Sequence, residues 1–319
     1  MPTQTLPSSA EAYDRRQRRE IVAALAALRR QWRRMGPDFD TSWSIVSPAL
    51  LAIVTTAQRR LVAEVEPYME AVLEETAQRA AITPYAAATT APLINVAGDG
   101  RELDTLLYGA VTHAKTKIDT GATVHQALHG KGGAGEWLTL ASGTALSDTS
   151  RQAEALHIGV RPVGGYVRML EPPSCSRCVV MAGQWYRKNT GFPRHPGCDC
   201  RHIPASESVG GDFRVNATDY FDSLDEAEQD RVFTKAGAEA IRAGADPAKV
   251  VNARRGMTKS QSGRLIRDES GLYRTTEGLG RGRRRRSRPP RLMPESIAQV
   301  AKDRDDYLRL LRANGYLLA

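Results

Sequence analysis

All four cysteines of this 319-residue chain fall within 26 residues, as Cys175-x2-Cys178 and then, after sixteen residues, His195-x2-Cys198-x-Cys200. A Cys-x2-Cys turn can present two thiolates to one tetrahedral ion at about 2.3 Å, and a second cluster can complete the shell. With no cysteine elsewhere, a disulfide framework of the secreted kind is disfavoured, and a Zn²⁺ site is expected. Five groups compete for four places. Cys175 and Cys178 are expected to ligate together. Cys198 with Cys200 gives an all-cysteine shell, and His195 can replace one of them. His202 is the weakest candidate and reads as a surface histidine. Four protein ligands leave no position for water, so such an ion would hold structure rather than catalyse. The segment around it has few apolar residues, the situation in which a metal substitutes for a core.

The rest of the chain reads as helical. Apolar residues at 41% and charged residues at 25% exclude wholesale disorder, while only 6% aromatics disfavours an all-β sandwich. The longest apolar run, Ile21–Leu28, is well short of the ~18 residues of a membrane span. Met1-Pro2-Thr3-Gln4-Thr5 lacks the basic-then-apolar order of a secretory signal. A soluble protein made and used inside a cell, with no membrane partner, is the expectation.

Lys and Arg number 45 against 36 Asp and Glu, a charge of +9 that is strongly local. Seven arginines, Arg281, Arg283, Arg284, Arg285, Arg286, Arg288 and Arg291, stand in one acid-free stretch, and without them the charge is +2. Arg15 to Arg34 holds eight more against the single Glu20, so the remainder is net acidic at −5. The first stretch could bind nucleic acid by releasing counterions, with no base preference. The second flanks the apolar stripe Ile21, Leu25, Leu28 and Trp32 and reads as a solvated helix face.

Periodicity and punctuation divide the chain. Residues 1–10 read as a disordered leader and 11–158 as a helical N-terminal domain. Within it the first helix runs from Glu11 to Met35, and a second is opened by Ser47-Pro48 and ended or kinked by Pro67. Leu103–Ile118, residues 124–129 and 136–158 give three more. Residues 159–205 read as a small α+β zinc-knuckle module whose strand is Gly165–Leu170. Residues 206–258 are a helical region, in which Ser223 and Glu226 look like a capping box for a helix reaching Arg242, followed by a short helix from Asp246-Pro247. An Arg/Gly-rich linker, 259–293, precedes a single C-terminal helix within 294–319. The fold class expected is mainly α with one zinc-stabilised α+β module.

Several motifs carry no chemistry. Gly130-Lys131-Gly132-Gly133-Ala134-Gly135 follows no strand and lacks the Gly-Lys-Ser/Thr of a phosphate loop. Glu64-Val65-Glu66 matches the Glu-x-Glu of ADP-ribosyltransferases but sits inside a helix without its Arg and Ser-Thr-Ser partners, and is rejected. His113, His125 and His129 read as surface or core histidines. The helical hairpin after residue 223 has no base-reading pattern. A protease would need Ser142 or Ser147 with His157, or a cysteine free of zinc, and no spacing supports either.

The runs Pro173-Ser174-Cys175-Ser176-Arg177-Cys178, Ala182-Gly183-Gln184-Trp185-Tyr186 and Arg194-His195-Pro196-Gly197-Cys198-Asp199-Cys200 resemble the Mu F-like minor head proteins of tailed bacteriophages, the His-Pro-x-Cys-x-Cys close above all. The match covers about residues 135–204. Ala217-Thr218-Asp219-Tyr220-Phe221 and Ala253-Arg254-Arg255-Gly256-Met257 are similar to the longer forms in phages of actinobacteria. The resemblance implies a non-enzymatic minor capsid component present in few copies. It would partner portal and major capsid proteins in head assembly, with genomic DNA as a further partner in packaging or ejection. It implies location in the virion, at the portal vertex or capsid interior, after assembly in the host cytoplasm. Two other classes stay open: a capsid maturation protease, and a zinc-ribbon nucleic-acid binder unconnected with any capsid.

Overall fold

A computed structural model describes residues 6–170, 172, 174–191, 200–213, 215–257, 267–277 and 290–317. It is 64% helix and 7% strand, so the chain is mainly α. The contacts divide it into two compact units, one of Thr5–Met169 with Gln184–Phe213, the other built from Leu170–Gly183 and Arg214–Ala319.

The first unit begins with two long helices, α1 Ser8–Trp32 and α2 Phe39–Ala63, followed directly by α3 Val65–Glu75. After a stretch of turns come α4 Leu103–Asp119, α5 Val124–His129 and α6 Ala134–Gly159. The apolar stripes of α1, α2, α4 and α6 meet in one core that includes Leu28, Trp32, Leu50, Val54, Leu107, Val111, Leu138 and Leu146. The stretch Phe39–Glu75 is long and apolar enough to cross a bilayer by length and composition, and it sends Val46, Leu50, Val54 and Leu61 into the protein interior. Three short strands, β1 Gly165–Arg168, β2 Trp185–Arg187 and β3 His202–Ala205, form an antiparallel sheet in the order β2-β1-β3. Tyr166 stands opposite Tyr186 on one side and Pro204 on the other. Proline is tolerated there because β3 is an edge strand. A short helix, α8 Glu207–Gly210, follows. The sheet has no core of its own: Tyr166, Val167, Met169, Ile203 and Ala205 share a second apolar cluster with Tyr13, Tyr68, Met69 and Val72 of the helices.

The second unit contains α7 Ser176–Met181, α9 Ala217–Asp222, α10 Glu226–Phe233, α11 Lys235–Arg242 and α12 Pro247–Ala253. A two-stranded ribbon of β4 Arg274–Thr275 and β5 Arg291–Leu292 follows, then α13 Pro294–Val300 and α14 Arg304–Ala313. Phe221 and Phe233 meet edge to face at 5.3 Å, and Tyr316 and Leu311 are fully buried.

The structure departs from the sequence reading at definite places. The first helix starts at Ser8, inside the expected leader, because the Glu75 carboxylate accepts from the N–H groups of Ser8 and Ser9 at 2.7 and 2.9 Å. Residues 1–5 lie outside the described residues. The second helix is opened by Asp38, whose carboxylate accepts from Thr41 N–H at 3.0 Å, and Pro48 lies inside it. Pro67 falls in the first turn of α3, where its missing N–H costs nothing. The Ser223–Glu226 capping box is not formed. Ser223 closes α9 with its hydroxyl on Tyr220 O at 2.7 Å, and Asp225 caps α10. The helix expected to reach Arg242 breaks at Thr234, which takes φ of +68°. The C-terminal helix is likewise two, Asp303 capping the second. Of the expected linker, 267–277 and 290–293 are ordered around the β4–β5 ribbon, anchored by the fully buried Thr275 hydroxyl on Ala253 O. Residues 159–205 are not a module apart: the sheet belongs to the first unit and the Cys175–Cys178 helix to the second.

Candidate functional site

Cys175 is the N-cap residue of α7, in extended backbone, and Cys178 is its third helical residue. That turn brings the two Sγ atoms to 3.4 Å. Cys175 is exposed and Cys178 is buried. Within the second unit α7 packs on α9 and α12, and the N–H of Ser174 donates to the Tyr220 hydroxyl at 3.3 Å, fixing the approach to the pair. Two sulfurs bound at 2.3 Å to a tetrahedral ion stand about 3.8 Å apart, so this turn has the donor chemistry and close to the spacing of a shared zinc ligand pair. Cys200 is a buried free thiol preceding β3 of the first unit. His195 and Cys198 lie outside the described residues. Among the described residues no group of three or more His, Cys, Asp and Glu comes together as a metal site.

The segment that continues from Cys200 is anchored by a buried polar cluster that sequence reasoning did not find. Arg201, 1% exposed, pairs through Nε with Asp14 Oδ1 of α1 at 3.3 Å, and Asp14 is equally buried. Glu154 of α6, fully buried, accepts from His202 N–H at 3.0 Å and from the Tyr13 hydroxyl at 2.9 Å. His202 Nδ1 lies 3.2 Å from the same carboxylate, so His202 is a buried partner and not the surface residue expected. Tyr68 donates to His202 O at 2.7 Å and stacks on Tyr13 at 4.0 Å. Arg151 donates to Asp148 at 2.6 Å and to Cys200 O at 3.5 Å. Burial pushes the Glu154 carboxyl upward against the pull of Arg201 and the hydrogen bonds from His202 and Tyr13. Burial also raises the Tyr13 and Tyr68 hydroxyls well above their ordinary range, and the Glu154 charge adds to it. The chemistry is that of an anchor: it fixes where the chain lies just after the second cysteine cluster.

A second pairing uses the half-exposed Glu66 of the rejected Glu-x-Glu. Its carboxylate takes Arg161 Nη2 at 2.5 Å and contacts His157 Nδ1, while Glu64 takes Arg16 Nε at 2.7 Å. Burial lowers the His157 pKa, with Glu66 opposing. Ser142, Ser147 and His157 share one straight helix, so even the nearer serine stands about 15 Å along the axis from the imidazole. No nucleophile–base pair forms there. Of the other histidines, His113 faces Gly132 O at 2.9 Å, and His125 and His129 lie edge to face at 5.5 Å.

Among the arginines named for nucleic acid, only Arg291 is described. It is spoken for structurally: Nη1 donates to Asn314 O at 3.0 Å and the guanidinium lies 4.5 Å over the Tyr316 ring. Arg281, Arg283, Arg284, Arg285, Arg286 and Arg288 lie outside the described residues.

No protein-family model, curated protein or solved structure matches the chain.

Proposed function

We propose that the chain is a minor head protein of a tailed bacteriophage, a structural component that acts at the portal vertex during head assembly. The observation that carries this reading is the Cys175–Cys178 turn: two thiols 3.4 Å apart at the start of α7, within the sequence runs that resemble the Mu F-like family.

In this reading the pair supplies two ligands to a structural Zn²⁺, and His195, Cys198 and Cys200 are the candidates for the remaining two. A bound zinc would supply cross-linking free energy and no reaction. The chain's own residues do the positioning: Glu154 and Arg151 hold the backbone of His202 and Cys200, Asp14 holds the Arg201 side chain, and Tyr220 holds Ser174.

Purified full-length protein is expected to carry one equivalent of zinc, reduced below half by Cys175→Ser or Cys178→Ser. Less than half an equivalent in the unmodified protein removes the metal site. Co-expressed with its cognate portal and major capsid proteins, the chain is expected to enter particles in few copies and to leave the capsid protein uncleaved. Specific cleavage abolished by a point mutation replaces the structural reading with a maturation protease.

A further inference from the structure

The end of α1 carries four exposed arginines, Arg29, Arg30, Arg33 and Arg34. Earlier on the same helix three arginines are paired, Arg15 with Glu11, Arg16 with Glu64 and Arg18 with Asp14, and Arg19 has no carboxylate partner among the described residues. None of the four at its end has a carboxylate partner among the described residues. Their described hydrogen bonds are neutral, from Arg29 Nε to Thr139 Oγ1 at 3.4 Å and from Arg34 Nη1 to Gln31 Oε1 at 3.0 Å. A helix C-terminus favours a nearby cation, but arginines at i, i+1, i+4 and i+5 also repel one another. Helix formation alone does not account for a quartet.

Beside it runs a groove of about 810 Å³ between α1, α5 and α6. Arg29 and Arg33 form one wall, His125 and His129 the other, and Leu128 with Leu140 the floor. Leu140 is 53% exposed, while Leu138 and Leu146 of the same helix are buried. Glu136, a carboxylate lining the groove, is held by the N–H of Gly132 at 2.8 Å.

We propose that this groove binds a nucleic-acid strand through its phosphate backbone. Guanidinium forks match phosphate oxygens two at a time. The row of charge beside an apolar, ring-edged floor matches a strand that carries phosphates along one edge and base or sugar faces along the other. An acidic peptide would satisfy the arginines and leave the floor and rings without a repeating partner. Contacts of the arginines to phosphates carry no sequence information, so backbone binding of this kind is sequence-independent. The inference is independent of the head-protein reading.

The test is a salt titration of full-length protein with a random-sequence 20-nucleotide single strand and a 20-base-pair duplex. Arg29, Arg30, Arg33 and Arg34 are changed together to Gln, and a charge-matched control changes Arg15, Arg19, Arg59 and Arg60 to Gln. The segment containing Arg281 stays constant throughout. If all four contact phosphates, the slope of log K against log salt falls by about 3 for the single strand or about 4 for the duplex, and by about half of that if only Arg29 and Arg33, which line the groove, do so; affinity drops by roughly tenfold or more. The control is expected to lose less than one unit of slope, and a quartet of Lys to keep it. Equal circular dichroism of all variants assigns the loss to the site. The proposal is overturned if unmodified protein does not bind, if quartet and control lose slope alike, or if polyglutamate binds as tightly and is lost in the quartet variant, which would assign the groove to an acidic protein.

Discussion

Arg151, Arg161, Arg168 and Arg201 head the largest fully buried side chains of the protein, and a buried guanidinium is stable only when its charge is met. Asp14 meets that of Arg201, with both side chains 1% exposed. Replacing Asp14 by Ala removes the ion pair made to a buried guanidinium and is expected to cost about 3–5 kcal/mol, read by urea unfolding. Replacing both partners by apolar residues of similar size should cost much less, because the desolvation penalty goes with the charges. Glu75 gives a prediction of the opposite exposure class. Burial pushes its carboxyl upward, and the hydrogen bonds from Ser9 and Ser8 together outweigh it and bring the carboxyl from 4.5 to about 2. The folded state thus holds the ionised form more strongly than the unfolded chain does. The associated stability is complete above pH ~4.5 and is lost as pH falls toward 2. Glu75→Gln should flatten the stability profile in that window and lower stability near neutrality, where the contribution of the ionised carboxylate is fully present, with fraying of the first turn of α1 shown by hydrogen exchange at Ser8 and Ser9. None of these residues was legible as special in the sequence. Asp14 and Arg201 are 187 positions apart, and neither composition nor periodicity carries that separation.

Helix existence was legible where the apolar stripe was strong, as for Leu103–Asp119 and Val124–His129, because a local period of 3.6 decides both. Boundaries were not, wherever the cap came from elsewhere or from a residue with a competing use. Asp38, Asp225 and Asp303 won as N-caps over the Ser47-Pro48 and Ser223 alternatives, and Thr234 split a helix by adopting a backbone conformation that β-branched residues rarely take. The glycines between α5 and α6 show how a motif can be read correctly in the negative and still be unexplained. A Cβ on Gly135 would stand 2.9 Å from Trp32 Cδ1, and the indole cannot swing away because its N–H donates to Leu128 O at 3.1 Å. Gly135→Ala gains up to about 1 kcal/mol of helix propensity and loses about 1–3 kcal/mol to overpacking. A net destabilisation is expected, visible as a lower Tm with unchanged helix content. The loop is glycine-rich because two helices and a tryptophan meet there.

At the scale of the whole molecule, the expected self-contained zinc module dissolved into two units for a physical reason that its composition already contained. A segment too poor in apolar residues to build a core can borrow one, and the sheet borrows from Tyr13, Tyr68 and Val72 while Cys178 is covered within the second unit by α9 and α12. Thiol labelling should reflect this: after chelation Cys175 should react fast, with Cys178 at 3% exposure and Cys200 at 6% at least tenfold slower. Equal rates would mean that the cover depends on metal. The route of the chain adds one more consequence. Leu170–Gly183 departs after β1 and returns into β2, and the N–H of Arg168 donates to Gln184 O at 3.4 Å where the two strands meet. The entropy of closing those fourteen residues into a ring is therefore met by strand pairing before any ligand arrives. The cysteine-bearing segment is a cassette in the sheet, and a tight turn put in its place should leave the first unit folded.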